Sequence, residues 1–357
     1  MGYYNEMKKD LEYIYCALGD EESKDWFDAR VEYMISGNEE HFFDSIFALG
    51  RKYPKNWCHL GMERFVKGKS YKGIVIYGCG HNGRILKGVL ELCGYTVNCW
   101  CDSNRIITGN ELNGLRIISP EELVEKYQDY LVIISTMQYK VYIYEHLRAL
   151  GFPLEMVSIF DENASDWGVG GKQYFDLFLP EDEEVFVDAG AYNGDTIFDF
   201  LEWCQGKEYR IYSLEPLEHM CEFVKKRLRE NNISNVHMIM CAAWCKEEEL
   251  NFVDRGDGSS IEERGGFKVK GNSIDNIVGK DKVTLIKLDI EGAELEALKG
   301  ASTTIRENHP KLAICIYHKP FDILEIGKYI LSLYPSYKLY VRHYSLTMCE
   351  TVLYAVP

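Results

Sequence analysis

VFVDAGAYNGDT, Val185 to Thr196, is the stretch whose reading decides the fold. It runs from a short apolar strand ending in an acid, through a glycine-rich turn, into a helix start at Asp195 and Thr196. Strand, glycine turn and helix in that order make a ligand-binding corner of an open α/β sheet, because ligands sit at the carboxyl ends of the strands. The spacing is Asp188-x-Gly190-x-x-x-Gly194, not the G-x-G-x-x-G of a dinucleotide corner.

Outward from this corner, strands and helices alternate regularly to the end of the chain. Strands are predicted at 185–187, 210–214, 236–241, 284–288 and 311–317, with helices at 195–204, 217–230, 293–307 and 322–333. Two further β segments, 337–344 and 351–355, close the chain. Seven strands with this alternation predict a mainly parallel sheet covered by helices. Polar residues gather at the predicted strand ends. Glu215-Pro216 follows Asp188 by 27 residues, and Ala242-Ala243 ends the third strand. IKLDIEGAELEALKGA, Ile286 to Ala301, brings Asp289, Glu291 and Glu294 to one strand-to-helix junction, with Lys287 just before them. Glu291 and Glu294 also suit a first helical turn, where the helix dipole favours acids. His318 ends the fifth strand.

VDAGAYNGDT, LEP, IKLDIEGAELEALKGA and the tail ICIYHKPFDILEI through YKLYVRHYS to ETVLYAVP together resemble the FkbM family of S-adenosylmethionine-dependent methyltransferases, over roughly residues 172–357. The resemblance implies a class I methyltransferase, Rossmann-like seven-stranded sheet. It also implies methyl transfer to a hydroxyl oxygen of a sugar, a glycan or another small-molecule acceptor, in polysaccharide, glycolipid or secondary-metabolite assembly. In that reading Asp188, Gly190, Tyr192, Gly194, Asp195, Thr196, Glu215, Pro216, Ala242, Ala243 and Asp289 form the cofactor site. Glu215 would accept hydrogen bonds from the ribose hydroxyls. Ala242 and Ala243 would admit the adenine. Tyr192 takes the middle place of the usual glycine triplet. Methyl transfer needs alignment and a base for the hydroxyl proton. The catalytic candidates are His318, as base or as acceptor-positioning residue, and Asp289, as acceptor-orienting residue. Asp289 with Glu291 also suits a divalent metal such as Mg²⁺, although two acids do not define a metal site.

A second corner lies upstream. KGIVIYGCGHNGRILKGVLELCGYTVNCWCDSN, Lys72 to Asn104, reads as strand, glycine turn, helix and strand. Gly78-x-Gly80-x-x-Gly83 matches the dinucleotide fingerprint, and Asp102 ends the next strand, where an acid can hold a ribose. His81 sits in the turn and is expected to face solvent or a phosphate. Continued through NGLRIISPEEL, the segment resembles the nucleotide-sugar-binding N-terminal domains of bacterial sugar acyltransferases. That resemblance implies a nucleotide-linked sugar as ligand. The expected organisation is a helical segment over 1–70, acting as a cap or oligomerisation element, a smaller Rossmann-like α/β domain over 71–160, a Gly- and acid-rich linker over 161–182, and the methyltransferase domain over 183–357.

A formal charge of -16 argues against nucleic-acid binding, which needs a basic surface. The twelve cysteines, among them Cys16, Cys58, Cys79, Cys93, Cys204 and Cys315, show no paired metal-ligand spacing; Cys99-x-Cys101 and Cys241-x-x-x-Cys245 stand alone. Reduced, buried thiols are expected. The N-terminus has no apolar signal region, Glu6 stands where a myristoylation site needs Ser or Thr, and no run approaches a membrane span. A cytoplasmic protein is expected. Two other function classes stay open: a non-catalytic cofactor or nucleotide-sugar-binding protein, and a bifunctional chain with an NAD-dependent N-terminal domain. The second lacks a Tyr-x-x-x-Lys pair beside its glycine turn.

Overall fold

The computed structural model describes residues 2–53, 66, 68–136, 138–160, 173–254, 259–262, 264–345 and 347–357. Cys58 and the Gly- and acid-rich stretch 161–172 lie outside the described residues. The other eleven cysteines are free thiols. Among the described residues, no helix is long and apolar enough to cross a membrane. The chain divides into two compact units: residues 1–42, 172–344 and 348–357 form one, residues 43–171 and 345–347 the other.

In the smaller unit, β1 (Ile74–Tyr77), β2 (Val97–Cys101), β3 (Glu111–Leu112), β4 (Leu115–Ile118), β5 (Leu131–Ile134) and β6 (Val157–Ile159) are ordered β3-β4-β2-β1-β5-β6. All neighbours are parallel except the short β3-β4 pair. β1 and β5 are apolar throughout and wholly buried, as strands covered on both faces must be. The strand order reverses at β1, so the Gly78–Gly83 turn lies where such a sheet opens a crevice.

The larger unit holds β7 (Glu183–Ala189), β8 (Glu208–Leu214), β9 (Val236–Ile239), β10 (Ala242–Ala243), β11 (Glu248–Val253), β12 (Ser260–Ile261), β13 (Phe267–Asn272), β14 (Leu285–Leu288), β15 (Lys311–Cys315), β16 (Lys338–His343) and β17 (Thr351–Val356). Seven of these form a sheet ordered β16-β17-β15-β14-β7-β8-β9. β17 runs antiparallel to both neighbours and the remaining pairs are parallel. This is the seven-stranded, mainly parallel sheet expected from the sequence, with its switch point between β7 and β14. Behind β7, the helix Asp195–Cys204 buries Ile197, Phe200 and Trp203, and Phe200 stacks on Phe186 with ring centroids 4.7 Å apart. Each such fully buried aromatic stabilises the unit by about 2–3 kcal/mol.

Two features depart from the sequence reading. First, the helices Gly2–Ala17 and Glu21–Ser36 belong to the larger unit instead of standing in a separate 1–70 segment. Leu18 bridges to Leu339, and the Gly19 N–H donates to the Leu339 carbonyl at 2.8 Å, which covers the free edge of β16. Asp20 caps the second helix through the Ser23 N–H at 2.8 Å and accepts from Arg342 Nη2 at 2.6 Å. Burial works against the Asp20 carboxylate, but its bonds to Arg342 and Ser23 outweigh that and hold its pKa below the usual value. Asp20→Ala is expected to cost about 2 kcal/mol, the sum of a lost cap and a lost charged hydrogen bond, read from the urea midpoint. A midpoint unchanged from the wild type would mean the helices are not held through Arg342.

Second, residues 242–272 contain a small sheet ordered β10-β13-β11-β12 that the sequence reading passed over. Its signal is a two-residue alternation: Leu250 and Phe252 in β11 and Val269 in β13 are buried between exposed or half-exposed neighbours.

Candidate functional site

The carboxyl ends of β7 and β14 lie side by side, and backbone constraints set their spacing. Gly190 has φ +80°, and a Cβ there would stand 1.8 Å from the Asp289 carbonyl oxygen. Only glycine lets the two strand ends approach so closely. Beneath them, Asp188 is fully buried and paired with Lys287, whose Nζ lies 3.2 Å from Oδ1. Lys287 Nζ also donates to the Gly190 carbonyl at 2.8 Å. Burial alone would lower the lysine's pKa, but the charges of Asp188 and Asp289 outweigh it and hold it above normal. Lys287 is therefore a buried strand charge paired within the sheet.

Glu215, at the end of β8, reaches back to this turn. Its Oε2 accepts the Tyr192 N–H at 3.0 Å and its Oε1 the Leu217 N–H at 3.0 Å. Burial raises its pKa above normal against these two bonds. A carboxylate offers about four acceptor positions, so roughly two remain for a ligand.

A cavity of about 250 Å³ opens at these strand ends. One side is formed by Gly190, Tyr192, Glu215, Pro216, Ala242 and Ala243. Phe252 and Ile261 of the small sheet, with Ser259 just before β12, also line the cavity. Asp289, Glu291, Tyr317 and Glu350 give an acidic side. Three wall residues other than glycine, Tyr192, Glu291 and Glu350, have φ of 45°, 56° and 64°, a strained conformation that clusters at functional sites.

Not every expected site residue reaches this cavity. Asp188 lies beneath it, acting on the turn through Lys287. Gly194, at φ +82°, starts the helix and packs on Val224. Asp195 pairs with Arg227 at 2.8 Å, and neither it nor Thr196 is on the wall. His318 also stands off the wall, behind the acids: its side chain is 8 % exposed. Its Nδ1 lies 3.0 Å from Glu294 Oε1, and its Nε2 lies 3.3 Å from Glu291 Oε2 and 3.6 Å from Asp289 Oδ1. Burial would lower the imidazole pKa, but Glu294, Asp289 and Glu291 together push it up to about 9. A ring so placed holds its proton at neutral pH and is a poor base.

The sequence reading missed Tyr174, Tyr317 and Glu350. The Tyr174 and Tyr317 hydroxyls donate to Asp289 Oδ2 and Oδ1 at 2.9 and 3.1 Å. Burial opposes the Asp289 charge, yet Lys287, His318 and the Tyr174 bond keep its pKa below normal. Glu291 and Glu350 are both shifted upward by burial. Glu350 accepts from Gln173 Nε2 at 2.5 Å and from the Tyr317 hydroxyl at 3.5 Å. No local motif marks these three residues, because segments far apart in the chain bring Tyr174 and Tyr317 to Asp289 and Glu350 to Tyr317.

The smaller unit repeats one device. Asp102, at the end of β2, accepts the Cys79 N–H at 3.0 Å and the Asn104 N–H at 2.8 Å, much as Glu215 locks the turn after β7. Gly78 has φ +111°, and a Cβ at Gly83 would stand 2.0 Å from the Gly78 carbonyl oxygen, so the fold requires both. Gly80, in contrast, meets nothing within 4 Å. His81 opens the helix His81–Leu92, its ring packed edge-on against Phe43 at 4.9 Å.

Residues 188–337 match the family model described as Methyltransferase FkbM domain. Residues 70–157 match the model described as C2185-like, N-terminal. No curated protein matches the chain. Among solved structures, the methyltransferase FkbM from Methylobacillus flagellatus KT is 23% identical, with 88% of this chain and 99% of that chain covered and a TM-score of 0.48. A SAM-dependent methyltransferase from Aquifex aeolicus is 14% identical, covering 50% of this chain and 84% of its own, with a TM-score of 0.32. Aeropyrum pernix fibrillarin with natively bound S-adenosyl-L-methionine is 12% identical, covering 50% and 67%, with a TM-score of 0.33.

Proposed function

We propose that the larger unit is an S-adenosylmethionine-dependent O-methyltransferase acting on a hydroxyl of a sugar or a similar polyol. The observation that carries this reading is Glu215, tied to the Gly190–Gly194 turn by the Tyr192 N–H and to its own segment by the Leu217 N–H, with acceptor positions left over at the cavity wall. The family match over 188–337 supports it.

S-adenosylmethionine supplies an electrophilic methyl group when bound. Glu215 is suited to the two ribose hydroxyls, and Ala242 and Ala243 leave flat space for an adenine. Asp289, kept ionised, orients the acceptor from the opposite side. The acceptor proton goes to a carboxylate on the wall, Glu350 or Glu291, both raised by burial and so better bases than an ordinary glutamate. His318 has the other role open to it, positioning, because it balances the acids from behind.

Calorimetry on the full chain with S-adenosylmethionine, NAD and UDP-sugars tests the proposal. S-adenosylmethionine is expected to bind, and Glu215→Gln to weaken it at least about tenfold, the cost of one charged hydrogen bond. No heat with S-adenosylmethionine would remove the reading. The same titrations address the smaller unit, which we propose binds a nucleotide-linked sugar at the Gly78–Gly83 turn. Gly80 favours that reading, since no neighbouring protein atom within 4 Å requires a glycine there while a ligand phosphate would. Heat with NAD instead of UDP-sugars would point to an oxidoreductase.

A further inference from the structure

Behind the acidic wall of the cavity, Asp289, Glu294 and His318 each offer one ligand atom, and these atoms lie within 4.8 Å of one another. They come from two neighbouring strand ends. Asp289 follows β14, Glu294 opens the helix Glu294–Lys299, and His318 lies just beyond β15. Glu294 is fully buried, and only its Oε1 is engaged by backbone, accepting the Ile290 N–H at 2.9 Å and the Gly292 N–H at 3.3 Å. Its Oε2 is buried with no hydrogen-bond partner.

His318 is the second, independent observation. Its side chain is more than nine-tenths buried, and neither ring nitrogen makes an aligned hydrogen bond, although carboxylate oxygens stand only 3.0–3.6 Å away. A cation bound there would take the place of the proton that this ring otherwise holds among the three carboxylates, because a metal-bound imidazole is neutral. A cation takes one ring nitrogen, and either has a carboxylate oxygen near the roughly 3 Å that separates atoms bound cis to a cation at about 2.1 Å: Glu294 Oε1 at 3.0 Å from Nδ1, or Asp289 Oδ1 at 3.6 Å from Nε2. One imidazole with two carboxylates is a donor set for a divalent transition ion such as Mn²⁺ or Zn²⁺ rather than for Ca²⁺.

We propose that Asp289, Glu294 and His318 form a divalent-cation site at the acidic end of the cavity, with Glu291 at its rim. Asp289 and Glu291 also line the cavity, so the cation would lie within reach of an oxygen of the acceptor. That placement beside an acceptor rests on the methyl-transfer reading; binding of the ion itself does not.

The test uses the full chain, stripped with chelator and titrated with Mn²⁺ by calorimetry and electron paramagnetic resonance. One Mn²⁺ is expected per chain, with a rise in Tm. His318→Gln and Glu294→Gln are each expected to weaken Mn²⁺ at least about tenfold, the usual loss when a ligand or its support is removed. Each variant's Tm without metal shows whether it folds. If both buried variants unfold, Glu291→Gln serves instead; its side chain is about a third exposed, and loss of its charge is expected to weaken Mn²⁺ several-fold. S-adenosylmethionine affinity is measured separately on the same samples. Loss of that affinity in the wild type would strike the methyltransferase reading and leave the metal site standing. Absence of Mn²⁺ binding to the wild type, or Mn²⁺ binding unaltered in whichever variants fold, would overturn the site whatever S-adenosylmethionine does.

Discussion

Gly190→Ala is expected to abolish S-adenosylmethionine binding and to lower the unfolding free energy by more than about 3 kcal/mol. Two effects combine. The φ of +80° is strained for any residue with a Cβ, and the added carbon would stand 1.8 Å from the Asp289 oxygen and 2.9 Å from its carbonyl carbon. Both opposing atoms are backbone, so no side chain can swing aside. The strand ends must separate, which pulls Asp289 away from the turn that carries Tyr192 and is bonded to Glu215. Urea unfolding and calorimetry read the two losses. Gly80→Ala in the smaller unit is the matched control: its φ of -73° and open surroundings predict a change under about 1 kcal/mol. A Gly190→Ala protein as stable as the Gly80→Ala one would show that the strand ends do not meet as described.

Lys287→Met is expected to destabilise the larger unit by about 3–5 kcal/mol, because it leaves the Asp188 carboxylate buried without its cation. The lysine also ties the turn through the Gly190 carbonyl at 2.8 Å, so S-adenosylmethionine affinity falls with stability. Adding Asp188→Asn to Lys287→Met removes the stranded charge and is expected to recover much of the stability. It does not restore the link to the Gly190 carbonyl, so the affinity stays low. That split separates charge burial from turn positioning. Equal stability of the single and double variants would refute the account of the pair.

Much of the site was legible because its chemistry is local. Gly190, Glu215, Ala242, Ala243 and Asp289 announce themselves by their place at strand ends, and a strand end in a parallel sheet is where ligands collect. Asp188 was legible as important but not as what it is. An acid ending an apolar strand reads as a ligand contact until the lysine that pairs with it is seen across the sheet. His318 shows the same limit more sharply. One histidine at a strand end reads as a base, and three carboxylates around it make it a cation or a ligand. The small sheet over 242–272 was passed over because its strands are short and half exposed, so its alternation is faint next to the long apolar runs of the main sheet.

Sequence by itself determined the alternation of strands and helices in the seven-stranded sheet, the two glycine corners and the acids beside them. Those depend on hydrophobic period and turn chemistry within a few residues. Tertiary structure alone decided which polar groups meet. It drew Tyr174 and Tyr317 to Asp289 and Glu350 to Tyr317, moved His318 behind the wall, paired Lys287 with Asp188 and folded the first helices onto the sheet edge at Leu339. The reason is distance along the chain. Partners separated by tens to hundreds of residues leave no local pattern, and an ionisable group takes its role from those partners.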